Sequence, residues 1–198
     1  MYKLLGRATS GNVQKVIFLF KELGTPFERV DYGRQFENTT TPEYLAMNPT
    51  QKVPTLVDGD VSIWESHTIL RYVAAKEKSA LIPTDLAART QVERWMDWML
   101  AALNAPYLGG FKDAKKPAAE RAPDTVKNLV TELAILEQQL AKSPWVAGAD
   151  FSLADIALGP VVARCVAFSF TMPPMPHIAA WLAKLNARPA FVAATAGK

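Results

Sequence analysis

The stretch from Asn48 to Ser66 carries the residue types best suited to hold a peptide-like ligand. It reads NPTQKVPTLVDGDVSIWES. Backbone just before Pro54, at a strand start, cannot complete a β-ladder, so its N–H and C=O groups can pair with a guest backbone. Glu65 and Ser66 stand where a new helix should begin, and a helix N-terminus can hold a carboxylate. The same residues also fit an ordinary hairpin followed by an N-cap, so spacing alone leaves both interpretations open.

A β-hairpin is predicted inside this stretch. Residues 55–57 and 61–64 are rich in strand-forming side chains. Asp58-Gly59 between them is a strong turn signal, because a two-residue hairpin turn needs positive φ. The hairpin therefore places the pre-proline backbone and the helix start near one another.

A strand, a helix and a second strand precede the hairpin and must position it. Residues 2–5 form a candidate strand, and Val13, Val16, Ile17 and Phe20 then recur at helical spacing up to Gly24. A second strand is predicted at 28–32, a short helix at 42–47 and a helix at 66–76 after the hairpin. Strand, helix and strand joined by short links predict parallel pairing. The order βαβαββα predicts a mixed four-stranded sheet with helices on both faces.

The rest of the chain is predicted to be helical. We expect a first domain at 1–78, a linker at 79–85 and an all-helical domain at 86–198. A long helix is predicted at 86–104, and another begins after Asp124. Ser152 and Asp155 form a capping box that opens an apolar helix running to about Phe168.

Composition excludes several classes of protein. The chain has 198 residues, 49% of them hydrophobic, and no apolar run near the ~20 residues of a membrane span. The net charge of +3 is spread evenly along the chain, so no basic patch indicates nucleic-acid binding. The only cysteine, Cys165, lies in an apolar run, which indicates a buried thiol in a reducing compartment. His67 and His177 lack partners at metal-ligand spacing, so no metal site is predicted. We expect no signal peptide and a cytoplasmic protein.

Four motifs occur in order along the chain: NPTQKVPTL, WESHTILRYVA, WVAGADFSLADIAL and LNARPAF. With them the chain resembles the cytosolic glutathione transferase superfamily, in particular its bacterial, theta-like, Ser-type members, over essentially its whole length. The resemblance implies a thioredoxin-like N-terminal domain, an all-α C-terminal domain and a cis bond at Val53-Pro54. It also implies a homodimer, and glutathione as co-substrate rather than as a permanently bound cofactor.

The resemblance further implies the glutathione contacts. The backbone of Val53 would pair with the cysteinyl part, and Glu65 and Ser66 would hold the γ-glutamyl end. Lys52 would lie near the glycine carboxylate, and Asn12 is a further candidate contact. Gln51 stands where many relatives have glycine, a departure in the region of the glycine end.

The catalytic position in such proteins follows the first strand and carries Tyr, Ser or Cys. The segment GRATSGNVQKV has neither Tyr nor Cys, which leaves Ser10, with Thr9 as the alternative. Ser-type relatives place the serine six residues before a valine, as Ser10 stands before Val16. Arg7, Ser10 and Asn12 also resemble the R-x-x-S-x-N pattern of some bacterial members. A plain N-cap is the competing interpretation of Ser10.

The expected reaction is conjugation of the glutathione thiolate to small hydrophobic electrophiles. A hydroxyl that donates to sulfur favours the thiolate over the thiol. Candidate walls of the electrophile pocket are Tyr107, Phe111, Phe168 and Phe170. Two alternatives stay open: glutathione-dependent peroxide reduction or isomerisation at the same site, and a non-catalytic binding module of the same fold. His67 is expected to be a first-turn surface or interface residue.

Overall fold

One mixed β-sheet lies in the N-terminal part of the computed structural model, which describes residues 1–197 of the chain. Within these residues the sheet has four strands: β1 (Tyr2–Leu5), β2 (Phe27–Val30), β3 (Thr55–Asp58) and β4 (Val61–Trp64). Their order is β2-β1-β3-β4. The β1–β2 pair is parallel, whereas β1–β3 and β3–β4 are antiparallel. The predicted mixed sheet is therefore confirmed, including the parallel pair.

Nine α-helices occur within residues 1–197. They are α1 (Gly11–Leu23), α2 (Pro42–Met47), α3 (Ser66–Lys76), α4 (Leu86–Trp98), α5 (Asn104–Asp113), α6 (Thr125–Leu140), α7 (Leu153–Val166), α8 (Pro176–Asn186) and α9 (Pro189–Thr195). No helix in this described range is long and apolar enough to cross a lipid bilayer.

The hairpin turn lies one residue later than predicted. Asp58 still pairs with Val61, so the two loop residues are Gly59 and Asp60, and Gly59 has a φ of 60°. The Asp58 carboxylate accepts a hydrogen bond from the Tyr72 hydroxyl at 2.8 Å and also contacts Lys76. These contacts to α3 hold Asp58 in the strand, which moves the turn to the following pair of residues.

Helix α1 is buried on nearly all sides. It ends at Gly24, whose φ of 66° lies in the left-handed region that favours glycine. Besides α3, it packs against α9, where the rings of Phe18 and Phe191 lie 5.3 Å apart. The Arg188 guanidinium also contacts the Glu22 carboxylate, with Nε 3.1 Å from Oε2.

The segment that contains α9 groups with the first part of the chain. Residues 1–80 and the residues from Ala187 onward form one unit, and Leu81–Asn186 form the second. The sequence predicts this last segment to be part of the helical residues 86–198. Helical periodicity identifies a helix but not the surface that covers it, which explains the difference. As a division into independently folding domains, the boundaries 1–78, 79–85 and 86–198 stay a prediction.

The second unit consists of helices. A π-helical segment at Met99–Leu103 joins α4 to α5, so the helix predicted at 86–104 continues to Asp113. The Asp85 side chain caps α4 by accepting from the Ala88 N–H at 2.8 Å. Helix α6 begins after Asp124 as predicted, although the Asp124 side chain makes no capping hydrogen bond.

Helix α7 begins with the predicted capping box. The Asp155 carboxylate, 0% exposed, accepts from the Ser152 N–H and the Val146 N–H at 3.0 Å each, and from the Trp181 indole at 2.8 Å. Burial raises the pKa of this carboxyl, and these hydrogen bonds act in the opposite direction. Pro160 lies inside the helix, which ends at Val166, two residues before the predicted Phe168.

Candidate active site

Three chain segments meet at one end of the sheet, where β1 and β4 finish and β3 begins. Leu5 pairs with Thr55, and Thr55 pairs with Trp64. The loop after β1, the residue before β3 and the residue after β4 therefore lie next to one another in the ladder. These residues are Gly6, Pro54 and Glu65, and the Val53-Pro54 peptide bond is cis.

The backbone before Pro54 is held by two side chains that sequence reasoning missed. The Lys52 carbonyl accepts from the Tyr44 hydroxyl at 2.5 Å and from Asn48 Nδ2 at 2.9 Å. Both side chains also bond Thr55 Oγ1, each at 2.9 Å. Burial raises the pKa of the Tyr44 phenol, which keeps it a donor. Residues 52–55 are thus fixed from helix α2 and the residue that follows it.

Gly6 and Gly33 pack closely against Val53 and fix its position. A Cβ added to Gly6 would lie 2.5 Å from Val13 Cγ2 and 3.3 Å from Val53 Cβ. A Cβ on Gly33 would lie 3.3 Å from Val53 Cγ1, and Gly33 has a φ of 87°. Gln51 adopts a φ of 58°, in the left-handed region that favours glycine, so the backbone here would suit a glycine.

Glu65 and Ser66 open helix α3. Glu65 occupies the N-cap position with a φ of 67°, and its exposed side chain makes no capping hydrogen bond. Holding a non-glycine residue in this region costs about 1–3 kcal/mol and is typical of functional sites. Ser66 is buried as the first helical residue. The helix N–H groups near these residues can hold a carboxylate, and the Glu65 carboxylate can hold an ammonium group.

Ser10 occupies the N-cap position of α1 without capping the helix through its side chain. Its N–H donates to the Arg7 carbonyl at 3.1 Å, and its carbonyl accepts from the Gln14 N–H at 2.9 Å. The hydroxyl thus lies at the N-terminus of α1 but accepts no hydrogen bond from the helix N–H groups, as a capping serine would. Ser10 is buried, whereas Thr9 and Asn12 are exposed.

His67 is buried, so the expectation of a surface residue is wrong. Its Nε2 lies 3.0 Å from Nζ of Lys15, a fully buried side chain in the middle of α1. Burial lowers the pKa of Lys15 to about 7, and the Glu65 carboxylate opposes this by favouring the charged form. Sequence reasoning gave Lys15 no role.

The second unit contains the predicted aromatic residues as one cluster. The rings of Tyr107 and Phe168 stack at 6.2 Å, Phe111 lies 6.3 Å from Tyr107, and Phe170 lies 5.6 Å from Phe168. A Cβ on Gly110 would lie 2.9 Å from Phe168, so glycine leaves room for that ring. Lys115 and Arg121 lie over the rings of Phe111 and Phe170.

Similarity to known proteins identifies the family of this chain. Two family models match the chain, "Glutathione S-transferase, N-terminal domain" over residues 2–75 and "Glutathione S-transferase, C-terminal domain" over residues 116–184. The chain belongs to the glutathione S-transferase family. The fold and the enzyme class predicted from the sequence are thereby confirmed.

Individual relatives cover nearly the whole chain. Glutathione S-transferase GstB of Escherichia coli (strain K12) is 34% identical over 198 residues, which cover 96% of this chain and 95% of GstB. Glutathione S-transferase F10 of Arabidopsis thaliana is 32% identical over 196 residues, covering 90% and 89%. The crystal structure of a theta class glutathione S-transferase from Xanthomonas axonopodis pv. citri with glutathione bound matches with a TM-score of 0.90 at 34% identity, covering 98% and 96%.

In this glutathione S-transferase the predicted site residues fall into two sets. Ser10, Thr9, Asn12, Lys52, Val53, Glu65 and Ser66 belong to the first unit, and Tyr107, Phe111, Phe168 and Phe170 to the second. In the described range, no group of three or more His, Cys, Asp or Glu side chains is placed to hold a metal ion. Cys165 is buried, and burial raises the pKa of its thiol to about 12.

Proposed function

We propose that this protein conjugates glutathione to small hydrophobic electrophiles, with the Ser10 hydroxyl as the group that activates the thiol. The observation that carries the proposal is the placement of Ser10. Ser10 lies at the N-terminus of α1, is 8% exposed, and does not use its hydroxyl to cap the helix. It is therefore available to donate to a sulfur atom.

This end of the sheet offers one group for each part of glutathione. The Val53 backbone, fixed beside a cis proline, pairs with the cysteinyl part. Glu65 holds the γ-glutamyl ammonium group, while Ser66 and the N–H groups of α3 hold its carboxylate. Lys52 is exposed and faces the glycine carboxylate in this proposal, with Asn12 as a further contact.

Thiolate formation is the step to which this chain contributes. A free thiol has a pKa of about 8.5, so it is mostly protonated near neutral pH. A hydroxyl that donates to sulfur stabilises the thiolate, and the N-terminus of α1 adds its partial positive charge. The thiol proton passes to solvent, and the thiolate attacks the electrophilic carbon while the leaving group departs with the bonding electrons. Lowering the thiol pKa by one unit corresponds to about 1.4 kcal/mol.

The electrophile site is proposed to use the aromatic cluster. The rings of Tyr107, Phe111, Phe168 and Phe170 contact one another. Phe111, Phe168 and Phe170 are half-buried, so part of their apolar surface is accessible. Stacking on such rings suits small aromatic electrophiles. This proposal gives the enzyme a role in detoxification within the cytoplasm, which the single buried cysteine supports.

A homodimer is proposed in which the hairpin and α3 of one chain face the helical residues of the other. Two apolar side chains of β4, Val61 and Trp64, are 50% and 40% exposed. β4 is an edge strand of the sheet, and apolar residues on an exposed edge are typical of contact surfaces. Light scattering of the purified protein at several concentrations tests the assembly.

The test of the activity compares Ser10→Ala with Thr9→Ala. Conjugation of a generic aryl halide should fall about 10- to 100-fold in Ser10→Ala, because a hydrogen bond to a charged group contributes about 1.5–3 kcal/mol. The ultraviolet absorbance of bound thiolate should titrate at higher pH in the same variant. Thr9→Ala is the matched control and should keep its rate. A loss in Thr9→Ala with full activity in Ser10→Ala would assign the role to Thr9.

Retention on immobilised glutathione separates the remaining alternatives. Binding that is lost in Glu65→Ala supports the glutathione site. Binding without conjugation, together with peroxide reduction or isomerisation, would point to the other reactions of the same site. Failure of the wild type to bind glutathione at millimolar concentration would favour a binding module of the same fold.

A further inference from the structure

Lys15 is a buried charged residue that the mechanism above does not use. Its side chain is 0% exposed, which is rare for lysine. Nζ lies 3.0 Å from Nε2 of His67, itself 1% exposed. An ammonium group can only donate hydrogen bonds, so Nε2 accepts whenever Lys15 is charged. Burying an ammonium group is unfavourable, so its presence calls for a reason other than packing.

Two residues at the start of α3 act on Lys15. His67 is the second residue of that helix, next to Ser66, and Glu65 is its N-cap. The Glu65 carboxylate favours the charged form of Lys15. The amine therefore lies beneath the helix turn whose outer side is proposed to hold the γ-glutamyl group.

We propose that Lys15 is a positioning residue for the γ-glutamyl end of glutathione, acting through His67 and Glu65 on the first turn of α3. The inference rests on the proposed function. The amine anchors the turn through His67 Nε2, and its charge adds to the partial positive charge of the helix N-terminus. Both effects favour a bound carboxylate.

Within residues 1–197, the Glu65 carboxylate and the His67 ring at the start of α3 act on the Lys15 amine. Farther along α3 the charged side chains are Arg71 and Lys76. Helix α9, which also packs on α1, has no titratable side chain in its sequence PAFVAAT. Along α1 itself the other charged residues are Lys21 and Glu22, more than one turn away.

Carboxylate binding and protonation of Lys15 should be linked. The pKa of Lys15 is about 7 because burial disfavours the charge. A carboxylate bound at the same turn favours the charged form, so ligand binding takes up protons above neutral pH. The affinity for the ligand should therefore fall as the pH rises through about 7, because Lys15 then loses its positive charge.

The experiment measures S-methylglutathione binding by calorimetry, because this ligand has no thiol to titrate. Lys15→Met keeps the length of the side chain and removes the amine. It should weaken binding about tenfold at pH 6, as expected for loss of an interaction with a charged group. It should also flatten the pH dependence between about pH 6 and 8.5. In conjugation assays the KM for glutathione should rise, with the KM for the electrophile unchanged.

The double variant Lys15→Met/His67→Leu distinguishes positioning from packing. Replacing both partners of a buried hydrogen bond by apolar groups is close to neutral for stability, so this variant should melt near the wild type. Its affinity for S-methylglutathione should stay low. It also serves as the test protein if the single variant does not fold.

Three results would overturn the inference. Restored affinity in the double variant would reduce Lys15 to a packing role. Unchanged affinity and pH dependence in Lys15→Met would remove its role altogether while leaving the proposed function intact. A wild type that does not bind S-methylglutathione would overturn the proposed function, and this inference with it.

Discussion

The Asp155 carboxylate allows a quantitative test of the packing of the second unit. In Asp155→Asn one oxygen is replaced by an NH₂ group of the same size, which donates instead of accepting. Oδ1 accepts from the Val146 N–H and the Trp181 indole, and Oδ2 accepts from the N–H and the hydroxyl of Ser152. Whichever way the amide turns, two donors then face an NH₂ group.

The loss of stability follows from these contacts. When the amide nitrogen replaces Oδ2, the Ser152 hydroxyl can rotate, but the Ser152 N–H is left without an acceptor. An unsatisfied buried donor costs about 1–3 kcal/mol. Repulsion between the Ser152 N–H and the new amide NH₂ group adds to this cost. We expect a loss of about 3 kcal/mol, which for a chain of this length lowers the melting temperature by about 6–12 °C.

Thermal unfolding at fixed protein concentration measures this loss, because concentration shifts the melting of any oligomer. Asp150→Asn is the matched control, since it makes the same chemical change at an exposed position five residues earlier. It should change stability by less than about 0.5 kcal/mol. If Asp155→Asn melts with the control, the buried carboxylate does not hold the start of α7 as described.

Three further measurements test other parts of the structure. Phe191→Ala should lower the free energy of unfolding by about 3–5 kcal/mol, because the ring is buried against α1, whereas Val192→Ala, at a 50% exposed position, should lower it far less; similar losses would contradict the docking of α9. Cys165 should resist a thiol reagent in the native protein and react in urea, because its thiol is buried with a pKa of about 12; rapid native labelling would disprove this. The pKa of Lys15 falls from 10.5 to about 7 on folding, so the unfolded chain binds the extra proton between these values. The free energy of unfolding should therefore rise with pH in that window, and Lys15→Met should lose this rise in a pH series of melting curves.

Local signals predicted much of the first unit. Helices α2 and α3 begin and end where predicted, because Pro42 starts one and the hairpin ends just before the other. The cis bond at Val53-Pro54, which family resemblance implied, is also present. These features depend on residues close together in the sequence, which is why a single sequence reveals them.

Tertiary contacts explain what the sequence did not predict. The apolar stripe of α1 runs through Val13, Val16, Ile17 and Phe20, and Lys15 lies about 200° away from Val13 around the helix. A lysine opposite an apolar stripe usually faces water, yet Lys15 is fully buried and contacts His67 of α3. His67, expected in the first turn of α3 as a surface or interface residue, is buried against the same lysine.

The candidate site divides in the same way. The positions of Val53, Glu65 and Ser66 follow from motifs, whereas the side chains that hold them come from elsewhere in the chain. Tyr44 and Asn48 fix the backbone before Pro54 through hydrogen bonds that no spacing rule indicates. Whether Ser10 meets the sulfur stays a prediction, since it depends on the bound ligand.

The docking of α9 on α1 has a consequence for how the protein is made. A ribosome releases residues 1–80 long before Ala187, and at about 5–20 residues per second the interval lasts about 5–20 seconds. During that time the face of α1 that α9 covers, around Phe18, is open to water and to other chains. The first unit of the nascent protein is thus incomplete until α9 has been made, and a chaperone that shields this apolar face of α1 would find it accessible during that interval.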